Sequence, residues 1–176
     1  MQANRIDEWL AAENRLDEIP ARPDAAAIDP ARTSGLALLR SALDGTGLNA
    51  SIGRTLDFRL VEVEHGRAVF QGAPSQAHYN PLGTVHGGWF AALLDSAVGC
   101  AVHSALDVGQ SYTTMELKVN YVRALTDRVP RVRAIGEVIH RGRRVATAEA
   151  RLVGPDDKLY AHATTTCLVF DIPGAA

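Results

Sequence analysis

Cysteine is scarce in this chain, which has only two among its 176 residues. Cys100 and Cys167 offer neither a disulfide framework nor the spacing of metal ligands. The six histidines are scattered, and no triplet of them has zinc spacing. We therefore predict two reduced thiols that fill apolar space, and no bound metal.

The chain also lacks a secretory signal and an uninterrupted membrane span. Its first residues do not have the basic-then-apolar order of a signal peptide. The most apolar stretch, 89–106, contains Asp95, Ser96, His103 and Ser104, which argue against a transmembrane helix. We therefore predict a cytoplasmic protein with no membrane partner.

A basic arm, a serine nucleophile elbow and a phosphate loop are absent as well. The first 30 residues hold seven acidic and three basic side chains. This acidic start argues against a nucleic-acid partner, because an N-terminal nucleic-acid arm is basic.

The composition is that of a globular protein, with 47% hydrophobic residues, 22% charged residues and a net charge of −2. A helical pattern covers 1–19 and another covers 35–44, with a proline- and alanine-rich linker over 20–31. The length suits one main domain. We assign 1–47 to an N-terminal helical extension and linker, and 48–172 to the domain.

The domain begins with strand patterns and contains one long helix. Strand-like runs over 55–63 and 67–72 flank a turn at His65-Gly66. Four more strand-like runs follow the apolar stretch, at 112–123, 129–140, 144–153 and 159–170. This order predicts an α+β fold, in which a curved antiparallel sheet of about six strands wraps one long buried helix.

Two features of the long helix point to chemistry. Asp95 is a carboxylate in an apolar helix, so it must be paired, hydrogen-bonded or functional. Gly87 and Gly88 lie where the chain enters the helix, and the first N–H groups of a helix can stabilise developing negative charge. Gly87 and Asp95 are more than two turns apart, so they cannot act together from one short helix.

The motifs of this region resemble those of the hotdog-fold acyl-CoA thioesterases, and most closely the phenylacetyl-CoA (PaaI-type) branch. The resemblance rests on N-P-L-G-T-V-H-G-G at 80–88, L-L-D-S-A at 93–97 and Y-T-T-M-E-L-K-V-N-Y-V-R at 112–123. It covers about residues 50–170. Ala124 departs from the family, which commonly has proline at this position.

The resemblance implies a hotdog fold and hydrolysis of an aryl- or medium-chain acyl-CoA to the free acid and coenzyme A. Coenzyme A is then part of the substrate, and no separate cofactor is expected. The family also implies a site at a dimer interface, with the carboxylate from one protomer and the glycine from the other. We therefore expect a homodimer or a homotetramer.

The resemblance also implies roles for five residues. The N–H of Gly87 would be the oxyanion donor, and Asp95 would be the nucleophile or the general base. Asn80 would position the carboxylate or water, His86 would orient the glycine loop, and Thr114 would hydrogen-bond the water. Three alternatives stay open: Asn80 serves only to initiate an Asn-Pro turn, His86 is a structural histidine, or Thr114 is a plain strand residue.

Arginine is concentrated late in the chain, with seven between residues 123 and 144. Guanidinium groups suit phosphate, and coenzyme A carries a pyrophosphate and a 3′-phosphate. Arg141, Arg143 and Arg144 are therefore candidates to bind its nucleotide end. The alternative is a solvated hairpin tip.

Two other functions fit the sequence less well. A hotdog hydratase needs an aspartate and a histidine flanking the Asn-Pro, but His78 and Gly83 occupy those positions. A non-catalytic acyl-CoA-binding protein would need an effector domain, and the acidic 1–45 segment is a poor DNA binder. Acyl-CoA hydrolysis is therefore the preferred function.

Overall fold

The computed structural model describes residues 2–19, 28–47 and 50–174. Within these ranges, six strands form one antiparallel sheet in the order β1-β2-β4-β5-β6-β3. The strands are β1 Phe58–Glu64, β2 Arg67–Gly72, β3 Gln110–Tyr121, β4 Val132–Arg141, β5 Val145–Val153 and β6 Leu159–Asp171. The α-helices are α1 Gln2–Asp17, α2 Gly35–Leu43, α3 Ser51–Leu56 and α4 Gly87–Ser104.

Helix α4 is the centre of the core, as the sequence predicted. It has 18 residues, ten of them buried, and the sheet packs around it. Leu93, Leu94, Val98 and Val102 are fully buried. They meet inward-facing side chains that alternate along β4, β5 and β6 with side chains on the other face. The predicted α+β architecture, with one helix wrapped by a curved sheet, is confirmed.

Helix α1 lies on the outer face of the sheet, opposite α4. Gln71 and Arg133 are register partners in β2 and β4, and both are buried. Their strand neighbours Val132 and Ala134 belong to the core around α4, so Gln71 and Arg133 point outward. Trp9 covers them, with the Arg133 guanidinium 4.6 Å from its ring centroid. The Gln71 side chain also donates to the Trp9 carbonyl at 3.1 Å.

Helix α2 closes one end of the core. Ser34 caps it by accepting a hydrogen bond from the N–H of Ala37 at 3.4 Å. Its three leucines pack against a second apolar cluster that includes Leu60, Val63, Ala68 and Ala101; these leucines are Leu36, Leu39 and Leu43. The helix pattern predicted over 35–44 is thus confirmed.

Two strand starts were predicted three residues too early, one of them at 129, since β4 begins at Val132. The strand expected from residue 55 begins at Phe58, because Ser51–Leu56 forms the short helix α3. Asp57 ends this helix in the left-handed conformation, with φ of 53°. A left-handed aspartate gives little signal in a pattern of apolar residues. Residues 20–27 of the predicted linker and the predicted domain boundary at 47/48 fall at or outside the edges of the described ranges.

Both cysteines are free thiols, with Cys167 buried in the core and Cys100 half-buried on α4. Within the described ranges, no three His, Cys, Asp or Glu side chains are placed to hold a metal ion. None of the described helices combines the length and the apolar character needed to cross a membrane.

Candidate active site

The loop before α4 is built around Asn80. Its Oδ1 accepts hydrogen bonds from the N–H groups of Leu82, at 2.9 Å, and Thr84, at 3.3 Å. Its Nδ2 donates to the Thr84 hydroxyl at 3.0 Å, and its backbone N–H donates to the Thr84 carbonyl at 2.8 Å. The Asn80 side chain therefore holds the turn together, as an asparagine in an Asn-Pro turn does.

His86 is the N-cap of α4. Its Nδ1 accepts a hydrogen bond from the N–H of Gly88 at 2.8 Å. Its backbone N–H donates to the His78 carbonyl at 2.7 Å, and its carbonyl accepts from the N–H of Trp89 at 3.0 Å. Because Nδ1 is an acceptor, the neutral ring carries its proton on Nε2.

These bonds leave the N–H of Gly87 as a free donor at the start of the helix. Its neighbours on either side, the N–H groups of His86 and Gly88, are both bonded. Among the described residues, no group accepts from the N–H of Gly87. A free N–H at the positive end of an 18-residue helix is suited to bind an anion or a polarised carbonyl oxygen.

A groove of about 320 Å³ lies beside this helix start. The rings of His78 and Trp89 stack there at 5.3 Å between centroids and 25° between planes. The Trp89 indole is fixed because its N–H donates to the Leu56 carbonyl at 2.7 Å. His86 and Gly88 complete the wall nearest the free N–H. The sequence did not predict this groove, because His78 and Trp89 meet only after the loop folds back onto the helix.

Asp95 lies farther along α4, facing the edge strand β3. Its half-buried carboxylate accepts a hydrogen bond from the Thr114 hydroxyl at 3.1 Å. No cation among the described residues forms an ion pair with it. Burial, with a further contribution from the Asp95 charge, raises the pKa of Cys100 to about 12. Burial, followed by nearby thiols and Asp95, also raises the pKa of Tyr112.

A β-bulge shapes the strand at this point. The pairing of β3 with β6 shifts register between Thr114 and Glu116, next to Asp95. Met115, at the bulge, is 63% exposed. Bulges re-aim side chains and occur often beside functional sites, and this one turns the Thr114 hydroxyl toward the carboxylate.

The predicted site residues thus fall into two groups within one chain. Asn80, His86 and Gly87 lie at the start of α4, whereas Asp95 and Thr114 lie two turns along it. Eight helical residues span roughly 12 Å, which is too far for one carbonyl group to contact both Gly87 and Asp95. One chain by itself therefore presents two half-sites.

The predicted arginines differ in their surroundings. The Arg141 guanidinium donates to Asp107 Oδ2 at 2.8 Å and also to the Gln110 side chain. Arg143 and Arg144 are exposed, and they form no ion pair within the described part of the chain. Arg143 and Arg144 are thus available to a ligand, whereas the Arg141 guanidinium is already bonded to Asp107 and Gln110.

Comparison with known proteins agrees with this fold and these motifs. Residues 82–161 match the family model of the thioesterase superfamily. A Pseudomonas aeruginosa protein that is named as an esterase is 30% identical over 146 residues, which cover 80% of this chain and 99% of that protein. The 1,4-dihydroxy-2-naphthoyl-CoA hydrolase of Listeria monocytogenes is 25% identical over 105 residues, which cover 60% of this chain and 84% of that enzyme.

A solved structure gives the same result at the level of the fold. It is a thioesterase-named, phenylacetic acid degradation-related protein of Ralstonia eutropha, with 28% identity and a TM-score of 0.68. The match covers 74% of this chain and 98% of that one. The helix wrapped by its six-stranded sheet is therefore a hotdog fold. The chain belongs to the thioesterase superfamily, and it is a hydrolase of thioesters.

Proposed function

We propose that this protein is an acyl-CoA thioesterase that hydrolyses aryl-acyl thioesters at a site shared by two protomers. The observation that carries the proposal is the Asp95 carboxylate, which is half-buried in an apolar helix and, among the residues that the structure describes, bonded only to the Thr114 hydroxyl. A carboxylate kept without a cation is free to act on a substrate.

The reaction adds water across the thioester carbonyl and breaks the carbon–sulfur bond. Asp95 either attacks the carbonyl carbon, giving an anhydride that water then hydrolyses, or removes a proton from the attacking water. The sulfur of coenzyme A leaves as the thiolate and becomes the thiol by taking up a proton that the hydrolytic water supplies, and the acid is released. Thr114, through its hydroxyl, holds the carboxylate in place in both routes.

The free N–H of Gly87 supports the other half of the reaction. Negative charge develops on the carbonyl oxygen as the tetrahedral intermediate forms, and a preorganised N–H stabilises it. The α4 dipole adds to this effect. His86 contributes as the cap that occupies the N–H of Gly88, which leaves the donor of Gly87 for the substrate.

A second copy of the chain would bring the half-sites together. Strand β3 lies at the edge of the sheet, so one side of its backbone is open to pairing. Met115 and Tyr121 are exposed large side chains on this strand, which suits a strand covered by a partner. Isologous pairing would give two identical sites, each with Asp95 from one protomer and Gly87 from the other. Pairing of two such dimers would give the tetramer.

The groove favours an aryl acyl group over a flexible chain. Its lining includes the His78 and Trp89 rings, which stack on each other and so offer their edges, and ring edges attract the face of an aryl group. Two relatives have names that refer to aryl substrates, a naphthoyl-CoA and phenylacetic acid. Arg143 and Arg144 are exposed candidates for the coenzyme A phosphates. Arg141 could bind a phosphate only after its ion pair with Asp107 is broken. A cytoplasmic location, where acyl-CoA is available, stays a prediction.

A panel of acyl-CoA thioesters tests the proposal, with thiol release measured for benzoyl, phenylacetyl, naphthoyl and straight-chain substrates. We expect aryl thioesters to give the highest kcat/KM. The Asp95→Asn variant should fold normally and lose kcat by roughly 10²-fold or more. Thiol release by this variant at the wild-type rate would contradict the role of Asp95. Binding of acyl-CoA without thiol release by the wild type would identify a non-catalytic acyl-CoA-binding protein.

A further inference from the structure

Helix α4 begins with two glycines, which makes its first turn conformationally soft. Glycine loses more conformational freedom than other residues when it enters a helix. The free N–H of Gly87 therefore needs contacts from outside the helix to keep its direction. A donor for a developing oxyanion stabilises it only when it is already oriented before the reaction.

The peptide group that joins Gly87 and Gly88 is held at both ends. On one side its N–H donates to Nδ1 of His86 at 2.8 Å. On the other side its carbonyl accepts a hydrogen bond from the Tyr121 hydroxyl at 3.0 Å. His86 belongs to the loop before the helix, whereas Tyr121 is the last residue of strand β3. The Tyr121 hydroxyl thus links strand β3 to the first residue of helix α4.

The ring of Tyr121 also fixes the backbone by direct contact. A Cβ atom at position 87 would lie 3.0 Å from Cζ of Tyr121 and 3.1 Å from its hydroxyl oxygen. A side chain at position 87 would therefore push the ring or the backbone aside by a few tenths of an ångström. The ring packs edge-on against Phe90, with centroids 5.6 Å apart and planes at 79°.

The position of Tyr121 is itself set by the sheet. The N–H groups of the next two residues, Val122 and Arg123, both donate to the Tyr160 carbonyl in β6, at 2.8 and 3.1 Å. Within one chain the side chain of Tyr121 is 55% exposed. Its hydroxyl makes one hydrogen bond within the described residues, and that bond is to Gly87.

We propose that Tyr121 is a positioning residue of the oxyanion hole: it fixes the Gly87–Gly88 peptide and so limits the backbone torsions of Gly87, which keeps the N–H of Gly87, in the preceding peptide group, pointed at the substrate carbonyl. This inference rests on the proposed thioester hydrolysis. It assigns the hydroxyl no contact with the substrate and no proton transfer. Its effect is on the transition state, because the negative charge on the carbonyl oxygen grows as the tetrahedral intermediate forms.

The test is Tyr121→Phe, which keeps the ring and removes only the hydroxyl. We expect kcat to fall by about tenfold, less than the 10²–10³-fold typical for removing an oxyanion donor itself. We expect KM to stay within about twofold, because ground-state binding is unaffected. The affinity for a coenzyme A thioether, which has no carbonyl oxygen, should match that of the wild type. Tyr160→Phe is the control, because it removes a hydroxyl from the neighbouring strand away from Gly87.

A second variant separates positioning from stability. In a Gly87→Ala background the new methyl group meets the Tyr121 ring at 3.0 to 3.2 Å, so the ring and the Gly87 carbonyl should no longer keep their hydrogen bond, and the further change Tyr121→Phe should cost little. Additive losses in the double variant would mean that Tyr121 does not act through Gly87. A kcat for Tyr121→Phe equal to that of Tyr160→Phe would overturn the inference, as would a loss matched by a lower melting temperature. A wild-type protein that hydrolyses no thioester would overturn the proposed function itself, and this inference with it.

Discussion

The Thr114 hydroxyl donates a hydrogen bond to Oδ1 of Asp95 across 3.1 Å, which joins edge strand β3 to the central helix. It is the one hydrogen bond that the Asp95 side chain makes to a described side chain. The two residues are 19 positions apart, and the bulge after Thr114 gives the hydroxyl its direction. The orientation of the proposed catalytic carboxylate therefore depends on a single threonine.

Thr114→Val should lower kcat by about tenfold, since a hydrogen bond to a charged group is lost while the β-branched shape is kept. Thr114→Ser should retain most of the activity, because its hydroxyl can make the same bond. Thr113→Val is the matched control, since this neighbour is exposed on the other face of the strand. Thiol-release assays on all three variants give the comparison. Equal activity of the Thr114→Val and Thr113→Val enzymes would show that Asp95 does not need the hydroxyl.

Asn80 is expected to act through its turn. Asn80→Asp keeps the oxygen that accepts from the N–H groups of Leu82 and Thr84, and the Thr84 hydroxyl can donate to the new carboxylate. We therefore expect kcat within about threefold of the wild type, and a larger loss for Asn80→Ala, which cannot accept these bonds. A loss of 10²-fold in the Asp variant would instead point to direct contact between the amide and the reacting groups.

Trp9 should matter for stability and not for chemistry. It is 7% exposed and covers Gln71 and Arg133 on the face of the sheet opposite α4. Trp9→Ala should lower the free energy of unfolding by about 3 kcal/mol, through lost burial and the loss of the Arg133 contact. Asp7→Ala, an exposed change on the same helix, is the control. Denaturant titration gives the stability, and a large fall in kcat of the folded Trp9→Ala enzyme would show that α1 reaches the active site.

Variants of the arginines around the turn between β4 and β5 should separate phosphate binding from a structural role. Arg143→Ala with Arg144→Ala should raise KM for a full coenzyme A thioester and leave KM unchanged for a truncated thioester without the nucleotide. Added salt should reduce the difference, because exposed charges are screened. Arg141→Ala is the structural comparison, since its guanidinium bonds Asp107 and Gln110. Equal losses on both substrates would exclude Arg143 and Arg144 from phosphate binding.

The core of the fold could be predicted because its patterns are local. The long apolar run gave helix α4, and the alternation after it gave β3 to β6. The start of β1 was wrong because Asp57 ends a short helix in a left-handed conformation. The position of α1 could not be predicted, because the contacts of Trp9 with Gln71 and Arg133 join parts of the chain that are far apart in sequence.

Only part of the candidate site could be predicted, because local patterns are visible in the sequence and contacts between distant residues are not. Asp95 and Gly87 are visible in the sequence, as a charge in an apolar run and a glycine at a helix start. Thr114 was predicted from the family resemblance, and in the structure its hydroxyl donates a hydrogen bond to the Asp95 carboxylate. Tyr121 and the stacking of His78 on Trp89 were missed, because an exposed aromatic at a strand end and a histidine in a loop have no pattern of their own. Their roles depend on which residues the fold brings against the start of α4.

Mixing two impaired variants tests the shared site most directly. The Asp95→Asn chain keeps Gly87, and the Gly87→Ala chain keeps Asp95, so a mixed dimer would contain one intact site and one doubly altered site. After unfolding and joint refolding of equal amounts, about half of the dimers are mixed. We then expect the intact sites to contribute about one quarter of the wild-type kcat per protomer, in addition to the average of the two variants measured separately. Thiol release that stays at the level of the separate variants, in a sample shown by mass spectrometry to contain mixed dimers, would contradict a site built from two protomers.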